Sequence, residues 1–70
     1  MEEEKRQGYP QITLAAARVN AGLSQVEAAE KLGVSFRSLI RYEKGRTRPT
    51  DAMLEKMAEV YGFPLEYIRL

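Results

Sequence analysis

The sequence predicts an all-α fold, a compact five-helix bundle, and three kinds of local signal support this class. Apolar residues recur at i, i+3, i+4 and i+7, most clearly at Leu54, Met57, Ala58 and Tyr61. A serine or threonine stands before each of the first four predicted helices as an N-cap, and a glycine follows each as a stop. No stretch alternates apolar and polar residues over a useful length, so no β-strand is predicted.

The first two helices have clear predicted boundaries. Thr13 is the expected N-cap of the first helix, and Gly22 offers its stop because glycine adopts a left-handed conformation freely. Ser24 and Glu27 form an S-x-x-E capping box, which opens the second helix. Gly33 ends that helix, so only a tight turn separates it from the third.

The later helices follow the same pattern of caps and stops. Ser35 caps a third helix that runs to about Lys44. Thr50 caps a fourth helix, which Gly62 breaks. Residues 65–70 are interpreted as a fifth helix of one or two turns. Short links between short helices favour a bundle.

The composition excludes most catalytic and metal chemistry. The 70 residues include no cysteine and no histidine, so thiolate ligands, the usual general base and the commonest metal ligand are all missing. We therefore expect no enzyme activity, no cofactor and no metal site. No apolar run approaches the roughly 18 residues of a membrane helix. Residues 1–10 are polar, unlike a signal peptide, and are expected to form a flexible arm before a cytoplasmic domain over 11–70.

Charge is segregated along the chain, although the net charge is only +1. Residues 31–48 contain six basic residues and a single acid, Glu43, and the rest of the chain is acidic on balance. Such a local excess fits binding to a polyanion such as double-stranded DNA.

The second and third helices together have the pattern of a helix-turn-helix. The apolar residues expected to face inward are Ala28, Leu32, Val34, Leu39 and Tyr42. The outward stripe of the third helix consists of Phe36, Arg37, Ile40, Arg41 and Lys44. Arg37 and Arg41 lie one turn apart, and each presents a planar fork that fits guanine O6 and N7 in the major groove.

Other polar residues are placed to contact phosphates rather than bases. Lys44, Arg46 and Arg48 lie at or beyond the end of the third helix, where the DNA backbone runs, so they are expected to add affinity without sequence choice. Gln25 opens the second helix, whose first N–H groups form a ready phosphate site, and its amide can add a second bond. The alternative for Gln25 is an ordinary first-turn residue that helps the cap.

An ordered series of motifs over residues 12–68 resembles the Cro/C1-type (XRE-family) helix-turn-helix domain, the class of the lambdoid phage repressors. The motifs are Arg18, Gly22-Leu23-Ser24-Gln25, Ala28-Ala29, Leu32-Gly33-Val34-Ser35, Tyr42-Glu43-Lys44-Gly45 and Arg48-Pro49-Thr50. The resemblance implies a lambda-repressor-like fold and DNA binding without catalysis.

The resemblance also implies roles for single residues. It implies a structural ion pair between Arg18 and Glu43, which would tie the first helix to the third. The base-contacting positions that it implies are Ser35, Phe36, Arg37 and Arg41. The phosphate-contacting positions that it implies are Gln25, Lys44, Arg46, Thr47 and Arg48.

Phe36 and Ile40 depart from the family pattern, which usually has small polar residues at these two positions. They could contact thymine methyl groups, the apolar feature of the major groove, and on that ground Ile40 joins the base-contacting set. They could instead rotate inward and thicken the core, or they could dock an antagonist protein.

The C-terminal segment carries more apolar side chains than a short tail needs, at Leu65, Tyr67, Ile68 and Leu70. Some are expected to seal the core, and the remainder to form a twofold patch, since family members commonly dimerise there. A C2 homodimer would set two recognition helices about one DNA turn apart, roughly 34 Å. The alternative is a monomer in which all of these residues are packed.

The sequence therefore predicts a sequence-specific DNA-binding transcriptional regulator of bacterial or phage type, expected to be a repressor, with the third helix (about 35–44) in the major groove. The alternative is a protein-interaction module on the same scaffold, such as an antitoxin or accessory regulator, which Phe36 and Ile40 would favour. A steep salt dependence of DNA affinity would separate the two, because phosphate contacts release counterions and apolar docking does not.

Overall fold

The computed structural model describes residues 11–70, and the predicted arm, residues 1–10, lies outside the described residues. In chain order the elements are β1 (Ile12–Thr13), α1 (Leu14–Asn20), α2 (Gln25–Leu32), α3 (Phe36–Glu43), α4 (Asp51–Tyr61) and β2 (Ile68–Arg69). A short 3-10 turn, Leu65–Tyr67, stands immediately before β2.

The predicted N-caps are confirmed for all four α-helices of the described residues. Thr13, Ser24, Ser35 and Thr50 each accept a hydrogen bond from the backbone N–H three residues further on. The capping box of α2 is complete, because the Ser24 N–H also donates to Glu27 Oε1 at 2.9 Å. That bond from Ser24 holds the pKa of the Glu27 carboxyl below its ordinary value.

The turn between α2 and α3 depends on Gly33. Its φ of 74° lies in the left-handed region, which residues with a Cβ atom rarely adopt. The N–H groups of Gly33 and Val34 return to carbonyl oxygens of Glu30 and Ala29 in α2, so the last turn of that helix is satisfied. The chain therefore reverses within a few residues, and α3 packs against α2.

One hydrophobic core lies among the four α-helices and the C-terminal segment. Its buried members are Leu14, Ala17, Ala28, Ala29, Leu32, Leu39, Leu54, Met57, Tyr61, Phe63 and Ile68. The inward orientation predicted for the helix-turn-helix is confirmed, because Val34 and Tyr42 also pack against this core. Leu39 is fully buried, so the inner face of α3 is fixed to the scaffold.

The predictions of a fifth helix and of no β-strand are wrong. After Pro64 the chain forms only the 3-10 turn, and Ile68 then pairs with Ile12 in a two-stranded parallel sheet. The physical reason is length, because six residues provide too few hydrogen bonds to offset the cost of helix nucleation. Ile68 gains more by burying its side chain in the core while its backbone pairs with β1. The domain is therefore mostly helical, and a small sheet joins its two ends. None of the helices in the described part is long and apolar enough to cross a membrane.

Candidate nucleic-acid interface

A largely buried ion pair fixes the C-terminal end of α3. Arg18 of α1 donates from Nε to Glu43 Oε2 at 2.7 Å and from Nη2 to Glu43 Oε1 at 3.3 Å. The two side chains are only 12% and 6% exposed, respectively. Arg18 Nη1 also donates to the Leu23 carbonyl oxygen at 2.9 Å, which adds the α1–α2 link to the contact. The structure thus brings together the two residues for which the family resemblance implied a pair.

Gln25 joins the same cluster, which the sequence did not predict. Its Nε2 donates to Glu43 Oε1 at 3.1 Å, so the first turn of α2 is linked to the last turn of α3. The amide nitrogen carries a second N–H, which does not take part in this bond. No periodic signal relates Gln25 to Glu43, because they belong to different helices.

Tyr61 of α4 brings a hydroxyl group close to this cluster. Its side chain is 4% exposed, and among the described residues its hydroxyl is the buried side-chain polar atom without a hydrogen-bond partner. Burial, followed by the Glu43 carboxylate, raises the pKa of Tyr61 to about 12, while Arg18 acts in the opposite direction. The hydroxyl is therefore neutral over the physiological range.

The outer face of α3 is basic and open to solvent. Arg37 and Arg41 are exposed, and both point away from the scaffold because they lie about half a helical turn round from the buried Leu39. Ser35 is exposed too, but its hydroxyl accepts the Ser38 N–H and donates to the Ser38 hydroxyl, both at 3.0 Å. The hydroxyl of Ser35 is therefore engaged as the N-cap of α3.

Phe36 and Ile40 accompany these arginines. Phe36 is 46% exposed and Ile40 is partly buried. Neither belongs to the hydrophobic core or to the residues packed against it in the described part of the chain. The structure therefore does not support the interpretation of these two residues as part of the core.

The chain from the end of α3 onward carries the three cations that are expected to contact phosphates. Lys44, Arg46 and Arg48 are exposed. The N–H groups of Arg46 and Thr47 return to the Arg41 carbonyl oxygen at 2.9 and 3.4 Å. The Thr47 hydroxyl accepts a hydrogen bond from Arg41 Nε at 3.1 Å. A residue predicted to contact phosphate is thus joined to one predicted to contact a base, a link with no sequence signal.

The C-terminal apolar residues divide between core and surface. Ile68 is buried, whereas Leu65 and Tyr67 are partly buried and pack against the core. Leu70 is 54% exposed. It borders a surface groove of about 270 Å³, whose other lining residues are Tyr42, Gly45, Thr47, Arg48 and Pro49.

This surface is suited to binding anionic or acceptor-rich ligands. Its guanidinium and ammonium groups carry hydrogen-bond donors and no acceptor atoms, and the planar guanidinium matches either a phosphate or the edge of a guanine. Among residues 11–70, no group of three acidic side chains could hold a metal ion.

Comparison with known proteins identifies relatives of this chain. A family model described as "Helix-turn-helix" matches residues 5–68. The cryptic phage CTXphi transcriptional repressor RstR of Vibrio cholerae is 40% identical over 48 residues, which are 69% of this chain and 43% of that protein. The HTH-type transcriptional regulator ImmR of Bacillus subtilis is 36% identical over 55 residues, which are 79% of this chain and 43% of that protein. An uncharacterized HTH-type transcriptional regulator of Sinorhizobium medicae is 30% identical over 50 residues, or 71% of this chain and 36% of that protein.

The extent of these matches defines what they establish. The chain spans less than half the length of these curated relatives. No solved structure matches it with significant similarity. The family match, however, includes α1 to α4 completely, together with the ion pair and the basic loop. The chain belongs to the helix-turn-helix family, in the Cro/C1-type class that its motifs resemble.

Proposed function

We propose that this domain is a sequence-specific DNA-binding transcriptional regulator, and that it acts as a repressor. The observation that carries the proposal is the division of α3 into a fixed inner face and an exposed cationic outer face. Leu39 and Glu43 hold the helix from behind, while Arg37 and Arg41 project from the front. A helix held in this way fits the major groove. Relatives named as a transcriptional repressor and an HTH-type transcriptional regulator support the same role.

Base reading and backbone binding fall to different residues. Arg37 and Arg41 read guanines, and each good bidentate contact contributes roughly 1–3 kcal/mol of discrimination. Lys44, Arg46 and Arg48 neutralise phosphates, so each contact releases counterions and makes the affinity dependent on salt. Gln25 adds a phosphate contact through its second amide N–H and the start of α2.

The exposure of Phe36 favours a second candidate function. This apolar side chain is 46% exposed, and we propose that it contacts a thymine methyl group. The alternative is that it contacts a partner protein, in which case the domain is a protein-interaction module on the same scaffold, such as an antitoxin or accessory regulator. Binding that weakens steeply with salt supports the DNA reading, whereas apolar docking depends little on salt.

A homodimer on DNA completes the proposal. Leu70 is exposed beside a groove, so the C-terminal segment offers an apolar surface, with Leu65 and Tyr67 partly accessible and Ile68 supporting it from the core. A twofold pair would set two copies of α3 roughly 34 Å apart, the spacing of successive major grooves. In this proposal the protein represses transcription by occupying an operator in the cytoplasm, and it needs neither a cofactor nor a chemical step.

Selection from a pool of random duplex DNA, followed by sequencing of the bound fraction, tests the proposal. We expect an enriched motif with two inverted half-sites. The matched control is the double variant Arg37→Ala/Arg41→Ala, which should stay folded and lose the guanines of the motif. Weak, salt-sensitive binding without any enriched motif would contradict the proposal, and a single half-site would contradict the dimer.

A further inference from the structure

Arg41 is not a free surface side chain. Its Nε lies 3.1 Å from Thr47 Oγ1 and donates to it. Arg41 is exposed, whereas Thr47 is partly buried, so the acceptor is the better fixed partner of the two. Arg37 lies on the same face of α3 and has no such partner among residues 11–70.

The backbone of the loop holds Thr47 in place for this contact. Gly45 takes a φ of 74°, which turns the chain back on the end of α3. The N–H groups of Arg46 and Thr47 then donate to the Arg41 carbonyl oxygen at 2.9 and 3.4 Å. The loop is thus bonded to the backbone of the same residue whose side chain the Thr47 hydroxyl contacts.

The position of this bond on the guanidinium has a chemical consequence. A free arginine side chain samples many rotamers, and binding in one geometry must remove part of that entropy. A bond at Nε fixes the plane of the guanidinium before DNA arrives. It also engages the Nε–H, so the N–H groups of Nη1 and Nη2 remain to donate to guanine O6 and N7.

We propose that Thr47 is a positioning residue for Arg41, holding the guanidinium so that its two Nη groups meet one guanine end-on. This inference rests on the proposed function and gives Thr47 a role in sequence choice. The role expected from the family resemblance, a phosphate contact by Thr47, is the competing outcome of the test.

The DNA test compares Thr47→Val, which keeps the shape of the side chain and removes the hydroxyl, with Thr47→Ser, which keeps the hydroxyl. Affinity is measured for the site selected by the wild type and for the same site with the guanine opposite Arg41 replaced. We expect Thr47→Val to reduce discrimination between the two sites about three- to tenfold, the value of one modest hydrogen bond, and Thr47→Ser to restore it. In an Arg41→Ala background, Thr47→Val should have no further effect on discrimination.

A phosphate role gives a different pattern. Thr47→Val would then weaken both sites equally, like Arg48→Ala, and would do so in the Arg41→Ala background as well. That result overturns the positioning role while leaving the proposed function intact. A wild-type protein without any sequence preference overturns the proposed function and this inference together.

A measurement without DNA tests the contact itself. The Arg41 Nε–H, observed by nitrogen-15 NMR, should exchange with water more slowly than the Arg37 Nε–H. Thr47→Val should abolish the difference and Thr47→Ser should keep it, while the melting temperature reports that all variants are folded. Equal exchange rates for the two arginines in the wild type would overturn the inference.

Discussion

Arg18 and Arg41 each donate a hydrogen bond from Nε to a side chain, yet their surroundings differ. Arg18 is 12% exposed and gives two bonds to the Glu43 carboxylate and one to the Leu23 carbonyl oxygen. Arg41 is exposed and gives one bond, to the neutral hydroxyl of Thr47. The role of an arginine here therefore depends on how many donors the fold already satisfies. Arg18 has its donors engaged in holding helices together, and Arg41 keeps its Nη groups available.

The two regions meet on α3, where Arg41 and the partner of Arg18 are only about half a turn apart. Arg41 and Glu43 are two residues apart and lie on different faces of that helix, one exposed and one mostly buried. Glu43 is the acid that interrupts the basic segment, and its charge is compensated locally by Arg18 rather than presented to DNA. Removing one partner of such a pair is costly, because the other remains as an uncompensated buried charge.

The largest predicted effect is a loss of stability when the ion pair of Arg18 and Glu43 is removed. Arg18→Ala should lower the free energy of unfolding by about 3–5 kcal/mol, because Glu43 loses its cation in a site that is mostly closed to water. Denaturant unfolding at low temperature measures the loss. Arg37→Ala is the matched control on the exposed face and should change stability by less than about 0.5 kcal/mol. An unchanged unfolding curve for Arg18→Ala would mean that the pair contributes nothing to the fold.

Substitution of an exposed arginine should change DNA affinity and leave the free energy of unfolding almost unaltered. Arg48→Ala should weaken binding to the selected site and to random DNA alike, and should reduce the slope of log affinity against log salt by about 1, because one phosphate contact is lost. Titrations over a range of salt concentrations measure both quantities. A loss confined to the selected site would make Arg48 a base reader and remove its assignment to phosphate.

Tyr61→Phe removes the buried hydroxyl that lies close to this ion pair. Removing an unpartnered buried hydroxyl should leave stability unchanged or raise it by about 1 kcal/mol at neutral pH. Because the folded pKa of Tyr61 is raised from 10.0 to about 12, the neutral hydroxyl is favoured by the fold below pH 10, and that contribution is lost as pH rises towards 12. The wild type should therefore lose free energy of unfolding relative to the variant as pH rises from 10.0 to about 12. A variant that is clearly less stable at neutral pH would show that the hydroxyl has a partner.

The smallest predicted effect concerns an exposed carboxylate, in contrast to Glu43. The Ser24 N–H lowers the pKa of Glu27, so the fold favours the ionised form. That stabilisation is present above the ordinary value of 4.5 and is lost as pH falls through the lowered folded pKa. Glu27→Gln should be slightly less stable than the wild type at neutral pH, and the gap should narrow in acid. A gap that stays constant with pH would rule out a contribution from the charge of Glu27.

The sequence predicted the local parts of this fold well because their causes are local. A cap such as Ser24 acts on a backbone N–H three residues away, and Gly33 acts on its own φ. The C-terminal segment was mispredicted because the cause lies far along the chain. Ile68 pairs with Ile12 through strands of two residues each, and a strand that short has no readable alternation.

The candidate site follows the same rule. The exposed stripe with Arg37 and Arg41 could be predicted from helical spacing and charge, and the structure exposes both. Glu43 could be identified as the partner of Arg18 only through the family resemblance, since nothing in the spacing relates α1 to the end of α3. The bonds made by Gln25 and Thr47 were not predicted, because they depend on the packing of α2 against α3 and on a loop turn after α3.

Arg41 is proposed to read a base, and this role can be tested by a thermodynamic cycle that combines the Arg41→Ala variant with a base change in the DNA site. Affinities of the wild type and of Arg41→Ala are measured for the selected site and for the site with one guanine replaced. We expect the base change to cost the wild type roughly 1–3 kcal/mol of binding free energy and to cost Arg41→Ala almost nothing, because the two changes remove the same contact. Equal losses in both proteins at every guanine of the site would contradict it.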